Sequence, residues 1–86
     1  MNLEILTPEK KLFSDDVYGV QLPGASGSFE ILDKHAPLVS ALNKGIVKVL
    51  NEKQGGSVSS FSISGGFVEV LNNRVTVLVE KGDELT

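Results

Sequence analysis

Apolar and polar positions alternate in short runs along this chain, and the runs are cut at regular intervals by Gly, Asn, Asp or Pro. A period of two fits extended strands, and regularly spaced turn residues between such runs fit an all-β sandwich or barrel. Valine recurs through the runs, and no window carries helical spacing as clearly. The pattern predicts strands over Leu3 to Thr7, Lys10 to Ser14, Val17 to Leu22, Ser28 to Leu32, Leu38 to Leu42, Ile46 to Asn51, Val58 to Ser64, Phe67 to Leu71 and Arg74 to Glu80.

The turns between them have physical reasons. Pro8 and Pro23 cannot donate to a ladder, and Gly24 and Gly27 bracket a small-residue loop, Pro23 to Ser28, expected to be exposed. Asn72-Asn73 separates two alternating runs, and both residues tolerate the left-handed backbone that a two-residue hairpin turn requires. Counting outward from that turn pairs Leu71 with Arg74, Val70 with Val75, Glu69 with Thr76, Val68 with Val77 and Phe67 with Leu78. Val68, Val70, Val75 and Val77 then line the core, which leaves Phe67 and Leu78 facing outward. Two large apolar side chains on an outer face fit either a covering strand or a partner. In Val58 to Ser64, Phe61 and Ile63 share one side and Ser60, Ser62 and Ser64 the other; Gly65-Gly66 then permits a bend before Phe67. Asp15-Asp16 is expected to end one strand and start the next, and Asn51 to Ser57 reads as a polar loop with the least order of any internal segment.

Composition narrows the function classes. The chain has 86 residues with 41% hydrophobic content, enough for one small domain, 1–86, and no second one. There is no Cys and one His, which removes thiol nucleophiles, disulfides, Cys-ligated metals and multi-His metal sites. Eight basic residues against 11 acidic ones, scattered rather than clustered, argue against nucleic-acid binding. No run reaches the roughly 18 apolar residues of a membrane span, and Met1-Asn2-Leu3-Glu4 lacks the charged and apolar regions of a leader. No Gly-Lys dipeptide, G-x-G-x-x-G or G-x-S-x-G occurs. His35 is expected to be a turn residue bonded to backbone. The chain therefore offers no catalytic residue, no metal site and no cofactor site.

One short stretch, Asp33-Lys34 followed by Gly45-Ile46-Val47-Lys48, resembles the modified-lysine hairpin of lipoyl carrier domains. A carrier modified on Lys34 and a free-standing β-sandwich binding module are the alternative readings.

A second resemblance covers nearly the whole chain. Gly27-Ser28-Phe29-Glu30-Ile31-Leu32-Asp33-Lys34-His35-Ala36-Pro37-Leu38 is similar to a signature of the epsilon subunit of F-type ATP synthases, in which a glycine- and Ile-containing step leads through Pro-Gly to His-Ala-Pro-Leu. Leu3 to Pro8, Leu12-Phe13-Ser14, Leu22-Pro23-Gly24 and the Leu42 to Val47 step agree with the same family. So do Ser64-Gly65-Gly66-Phe67-Val68-Glu69-Val70 and Asn73-Arg74-Val75-Thr76-Val77-Leu78.

The resemblance implies a flattened sandwich of about ten strands, non-catalytic, held between the gamma subunit and the c ring of the rotor and helping to couple ion movement to ATP synthesis. Membrane association would come only through the complex, on the cytoplasmic face of a bacterial inner membrane or its organelle equivalent. It implies that Gly24, Ser26, Gly27, Ser28, Phe29 and Glu30 lie toward the c ring. Ser28 stands where some relatives carry an acidic residue, and Glu30 where glycine is usual, so the charge is displaced by two positions on one side of a strand. Asp33-Lys34 replaces Pro-Gly, so the turn before His35 is expected to differ. His35, Ala36, Pro37 and Leu38 match their motif and are expected to shape a turn before contacting any partner. Phe67 and Leu78 are the candidates for the gamma side. Many relatives continue into an inhibitory helical hairpin, whereas this chain stops at Thr86; coupling without hairpin inhibition is the expectation.

Overall fold

The computed structural model describes residues 1–51 and 58–85, and all of its regular elements are strands: β1 Asn2–Leu6, β2 Lys11–Asp16, β3 Gly19–Gly24, β4 Gly27–Leu32, β5 Leu38–Leu42, β6 Gly45–Leu50, β7 Val58–Ile63, β8 Gly66–Leu71, β9 Arg74–Val79 and β10 Gly82–Glu84. They form one hydrogen-bonded path, β10-β7-β6-β3-β5-β8-β9-β1-β2, with β4 added to β3. The path folds over at a single pair, Gly24 with Leu42, so β4, β3, β6, β7 and β10 lie opposite β5, β8, β9, β1 and β2. The far ends, β10 and β2, approach each other and nearly close a barrel measuring 28 × 28 × 23 Å.

Alternation places the core between the halves. Val20, Leu22, Ile31, Val47, Val49, Phe61 and Ile63 come from one half, and Leu3, Ile5, Leu42, Val68, Val70, Val75, Val77 and Val79 from the other. Phe13 of β2 meets Phe61 of β7 edge to face at 5.7 Å between ring centroids, which ties the halves together beside the seam. No polar or charged residue is buried among the described ones. Packing is therefore carried by apolar burial, aliphatic and aromatic, and by backbone ladders.

The hairpin counted from Asn72-Asn73 is borne out pair by pair. Both asparagines take positive φ, 51° and 61°, as a two-residue turn that matches strand twist requires. The Phe61/Ile63 side of β7 is buried, as its alternation predicts.

Three expectations are corrected. β3 runs on through Pro23 and Gly24, so the turn is only Ala25-Ser26 and the exposed stretch starts at Ala25. Proline is tolerated there because its nitrogen points away from β4, toward the side where the β6 ladder has already ended at Gln21. Asp15 and Asp16 end a strand, as expected, by finishing β2 opposite Leu3 and Asn2, but they do not start the next, which begins at Gly19. β10 was not foreseen, since Gly-Asp-Glu has no apolar alternation; it is a strand because the free edge of β7 pairs with it. The expected loop from Asn51 to Ser57 lies, beyond Asn51, outside the described residues.

Candidate functional site

Three surface features hold the residues singled out by sequence, and they sit at two ends of the strands.

At one end is the β3–β4 hairpin. Gly24 is buried: a Cβ there would come within 2.5 Å of the Gly27 carbonyl oxygen and 2.7 Å of the Phe29 ring. Only glycine lets the two strands close so tightly. Phe29 turns toward the core and is half-buried, while Ser26, Gly27, Ser28 and Glu30 are exposed. Ser28 and Glu30 share one face, and Glu30 Oε1 accepts a hydrogen bond from the Gln21 amide at 2.9 Å. By register, Glu30, Gln21, Lys48 and Ser60 form a row across four strands. No cation pairs with Glu30 among the described residues.

Next to that hairpin tip lies an apolar row. Ala25 N–H donates to the Ala41 carbonyl at 3.0 Å, and Ala41 stands beside Phe67, Phe67 beside Leu78, and Leu78 beside Leu6. Phe67 and Leu78 are 58% and 50% exposed, as the register count predicts. A shallow depression of about 760 Å³ runs along this row past Gly65 and Gly66. Gly66, at φ 151°, brings its backbone so close to the Leu78 carbonyl that a Cβ would lie 2.0 Å from that oxygen.

The opposite end is polar. Lys34 takes a positive φ of 63°, and its N–H donates to Asn73 Oδ1 at 2.8 Å, while Asn73 Nδ2 donates to Asp33 Oδ1 at 2.9 Å. The Met1 ammonium reaches the same carboxylate at 3.2 Å and donates to the Val17 carbonyl at 3.1 Å. The Asn73 hydrogen bond, followed by that of the ammonium, holds the Asp33 carboxyl below its ordinary value of 3.8. One amide side chain thus joins the turn before His35 to the β8–β9 turn. His35, Ala36 and Pro37 are exposed, His35 Nδ1 lies 2.8 Å from the Ala36 carbonyl, and Leu38 begins β5 packed against the core.

The structure therefore places the β3–β4 tip together with Phe67 and Leu78, and sets His35 to Leu38 apart from them. The Asn73 clamp was missed by sequence reasoning, which saw only a turn former; its partners are 39 and 40 residues away. Lys34 is not at a hairpin tip, because β4 pairs with β3 whereas β5 pairs with β8 and touches β3 only at Gly24; the lipoyl-type geometry is absent. No group of three or more His, Asp or Glu able to hold a metal occurs among the described residues.

Fold and surface together define a class: a small, nearly closed ten-strand β-sandwich whose salient features are turns, a sheet edge and an apolar row instead of a cluster of reactive groups. Residues 1–83 match the family model for the ATP synthase, Delta/Epsilon chain, beta-sandwich domain, and the chain belongs to that family. It is 46% identical over 81 residues to the ATP synthase epsilon chain of Desulforamulus reducens, covering 94% of this chain and 59% of that one. The ATP synthase epsilon chain of Chloroflexus aggregans is 41% identical over 88 residues, at 99% and 61% coverage. The chain thus spans about 60% of the length of these relatives. A chain of the Euglena gracilis mitochondrial ATP synthase structure shares the fold, with a TM-score of 0.86 at 24% identity over 95% of this chain and 51% of that one. A chain of the Tetrahymena thermophila mitochondrial ATP synthase central stalk/c-ring structure does so at 0.81 and 20% identity, covering 95% and 64%.

Proposed function

We propose that these residues serve as the sandwich domain of an epsilon chain, a non-catalytic central-stalk subunit that links gamma to the c ring and helps couple ion transport to ATP synthesis. The observation that carries this reading is the family match over residues 1–83. The Tetrahymena relative comes from a central stalk/c-ring structure, which supports the same placement. The domain reaches the membrane face through the complex, and no helix among the described residues is long and apolar enough to cross a membrane.

In this reading the β3–β4 hairpin, with Ser26, Gly27, Ser28 and Glu30 exposed, meets the c ring. Gly24 and Phe29 shape that hairpin from inside. Phe67 and Leu78 contact gamma, and His35 to Leu38 set the neighbouring turn. Contacts of standard size, roughly 800 Å² per partner, suffice for specific binding.

The deciding experiment is binding to cognate gamma, with micromolar or tighter association expected and no association at that concentration removing the proposal. Charge reversal, Glu30→Lys, weakens attachment to the c ring more at low salt than at high salt, since exposed charges are screened over about 8–10 Å. Loss that ignores salt indicates a folding defect instead. Adding the 86-residue polypeptide to a complex depleted of its epsilon chain should restore coupling.

A further inference from the structure

The two halves of the sandwich leave strand edges of very different character. Natural sheets blunt their edges with short strands, bulges, charges or proline. β10 is three residues long and lies beside β2; β2 carries a register break opposite Ile5/Leu6 and ends in Asp15-Asp16. β5 is preceded by Pro37, and its Ala41 carbonyl is taken by Ala25 N–H. β4 has one of these devices only, the charge of Glu30. Six residues long, it has no proline, no lysine and an unbroken register with β3, and it is paired on that side only.

The hydrogen-bonding phase of that edge follows from its neighbours. Pro23 O accepts from Asn43 N–H at 2.7 Å and Ala25 N–H donates to Ala41 O at 3.0 Å, so both residues turn their backbone toward β5. Gly24 between them therefore faces β4 and pairs with Gly27. By alternation, Leu22 bonds Phe29 and Val20 bonds Ile31. The N–H and C=O groups of Ser28, Glu30 and Leu32 then point away from β3 and have no backbone partner among the described residues. Side chains add a pattern to this open ladder. Ser28, Glu30 and Leu32 stand on the outer face, Phe29 and Ile31 face the core side, and Glu30 accepts one amide hydrogen bond and makes no salt bridge among the described residues, with Lys48 two strands away in the same row.

We propose that the free edge of β4 accepts an added strand from a partner polypeptide, an extended segment that places a basic side chain opposite Glu30. The same segment sets apolar side chains opposite Leu32, Ile31 and Phe29 and a small or hydroxyl-bearing one opposite Ser28. Main-chain bonds supply attachment and the alternate side chains supply selectivity, as in other strand-addition complexes. This deepens the contact role proposed above for the β3–β4 hairpin and rests on it.

The test uses the 86-residue chain and a capped peptide, acetyl-Val-Val-Lys-Val-Thr-amide, followed by amide NMR and hydrogen exchange. Binding should slow exchange at Ser28, Glu30 and Leu32 by about tenfold while Phe29 and Ile31, already bonded to β3, change little. A peptide with Glu in place of Lys should bind about two- to fivefold more weakly, the size of a cross-strand charge effect. Glu30→Pro deletes an outward N–H without touching the β3 ladder, so it should abolish peptide binding and leave exchange in β8 and β9 unchanged. Glu30→Gln keeps the ladder groups and should still bind the original peptide. Absence of binding, protection outside residues 28–32, full binding by Glu30→Pro, or self-pairing of the chain in place of peptide binding would each overturn the proposal. Retained assembly with gamma alongside any of those results would sink the edge and spare the functional reading.

Discussion

The two ends of the sandwich are held together by different means. At the His35 end, side chains do the fastening: Asn73 joins Asp33 and Lys34 across the molecule, and the Met1 ammonium completes the set. At the β3–β4 end, the backbone does it: Gly24, Gly27 and Gly66 allow close approach or positive φ, and the Ala25 N–H bonds the Ala41 carbonyl. Fastening by backbone leaves side chains free. That is why Phe67, Leu78 and Ser28 can stand exposed at the glycine-rich end, while at the polar end Asp33 and Asn73 are engaged in holding the turns together.

The largest effect should come from the glycine that has no room. In Gly66→Ala the new Cβ would sit 2.0 Å from the Leu78 carbonyl at a φ of 151°. Backbone must shift, and a loss of about 3 kcal/mol or more is expected in urea unfolding. Gly27→Ala, at φ 128° with nothing within 4 Å, suffers only the conformational cost, about 1–2 kcal/mol. Equal losses at the two positions would show that crowding at Gly66 is relieved and that the end is looser than its geometry.

The polar end should break next. Asn73→Gly keeps the positive φ that the turn needs and removes both side-chain hydrogen bonds, so a loss of about 1–2 kcal/mol isolates the clamp. Asn73→Ala adds the strain of a left-handed alanine and should cost more. In each case chemical shifts of the 33–38 segment should move while those of Phe67 and Leu78 stay. The Asp33 carboxyl is stabilised in its ionised form in the fold, so its contribution is complete above the ordinary value of 3.8 and is lost as pH falls through its lowered folded value. Thermal melts at decreasing pH should therefore show wild type losing an increment that Asp33→Asn lacks. Parallel curves for the two proteins would remove Asp33 from the clamp.

How much of this was legible beforehand follows the range of each interaction. The Asn72-Asn73 hairpin was readable because its turn chemistry and its register are local, and one fixed turn orders twelve residues of ladder. β10 was not, because nothing in Gly-Asp-Glu announces a strand; the free edge of β7, nearly twenty residues upstream, makes it one. Pro23 misled for a related reason. A proline normally ends a central strand, and here the neighbouring ladder stops just before it, which no local pattern records. At the candidate site, the family motifs and the outward direction of Phe67 and Leu78 were visible. The Asn73 clamp depends on turns about forty residues apart and was invisible to any window.

The smallest stability effect carries the most functional information. Phe67→Ser and Leu78→Ser remove side chains that are at least half exposed and sit side by side in the outer row, so unfolding free energy should move by no more than about 0.5 kcal/mol. If the row is a partner surface, the same substitutions should raise the dissociation constant for gamma by about tenfold or more, as truncation of a buried aromatic anchor does. The polar end supplies the internal control: Arg74→Ser, exposed at the far end of the same hairpin, should alter neither quantity appreciably. Equal weakening by Arg74→Ser and Phe67→Ser would mean that gamma reads the whole sheet face. Weakening by Phe67→Ser and Leu78→Ser alone would place the contact at the glycine-rich end, where backbone fastening has left apolar side chains without an internal task.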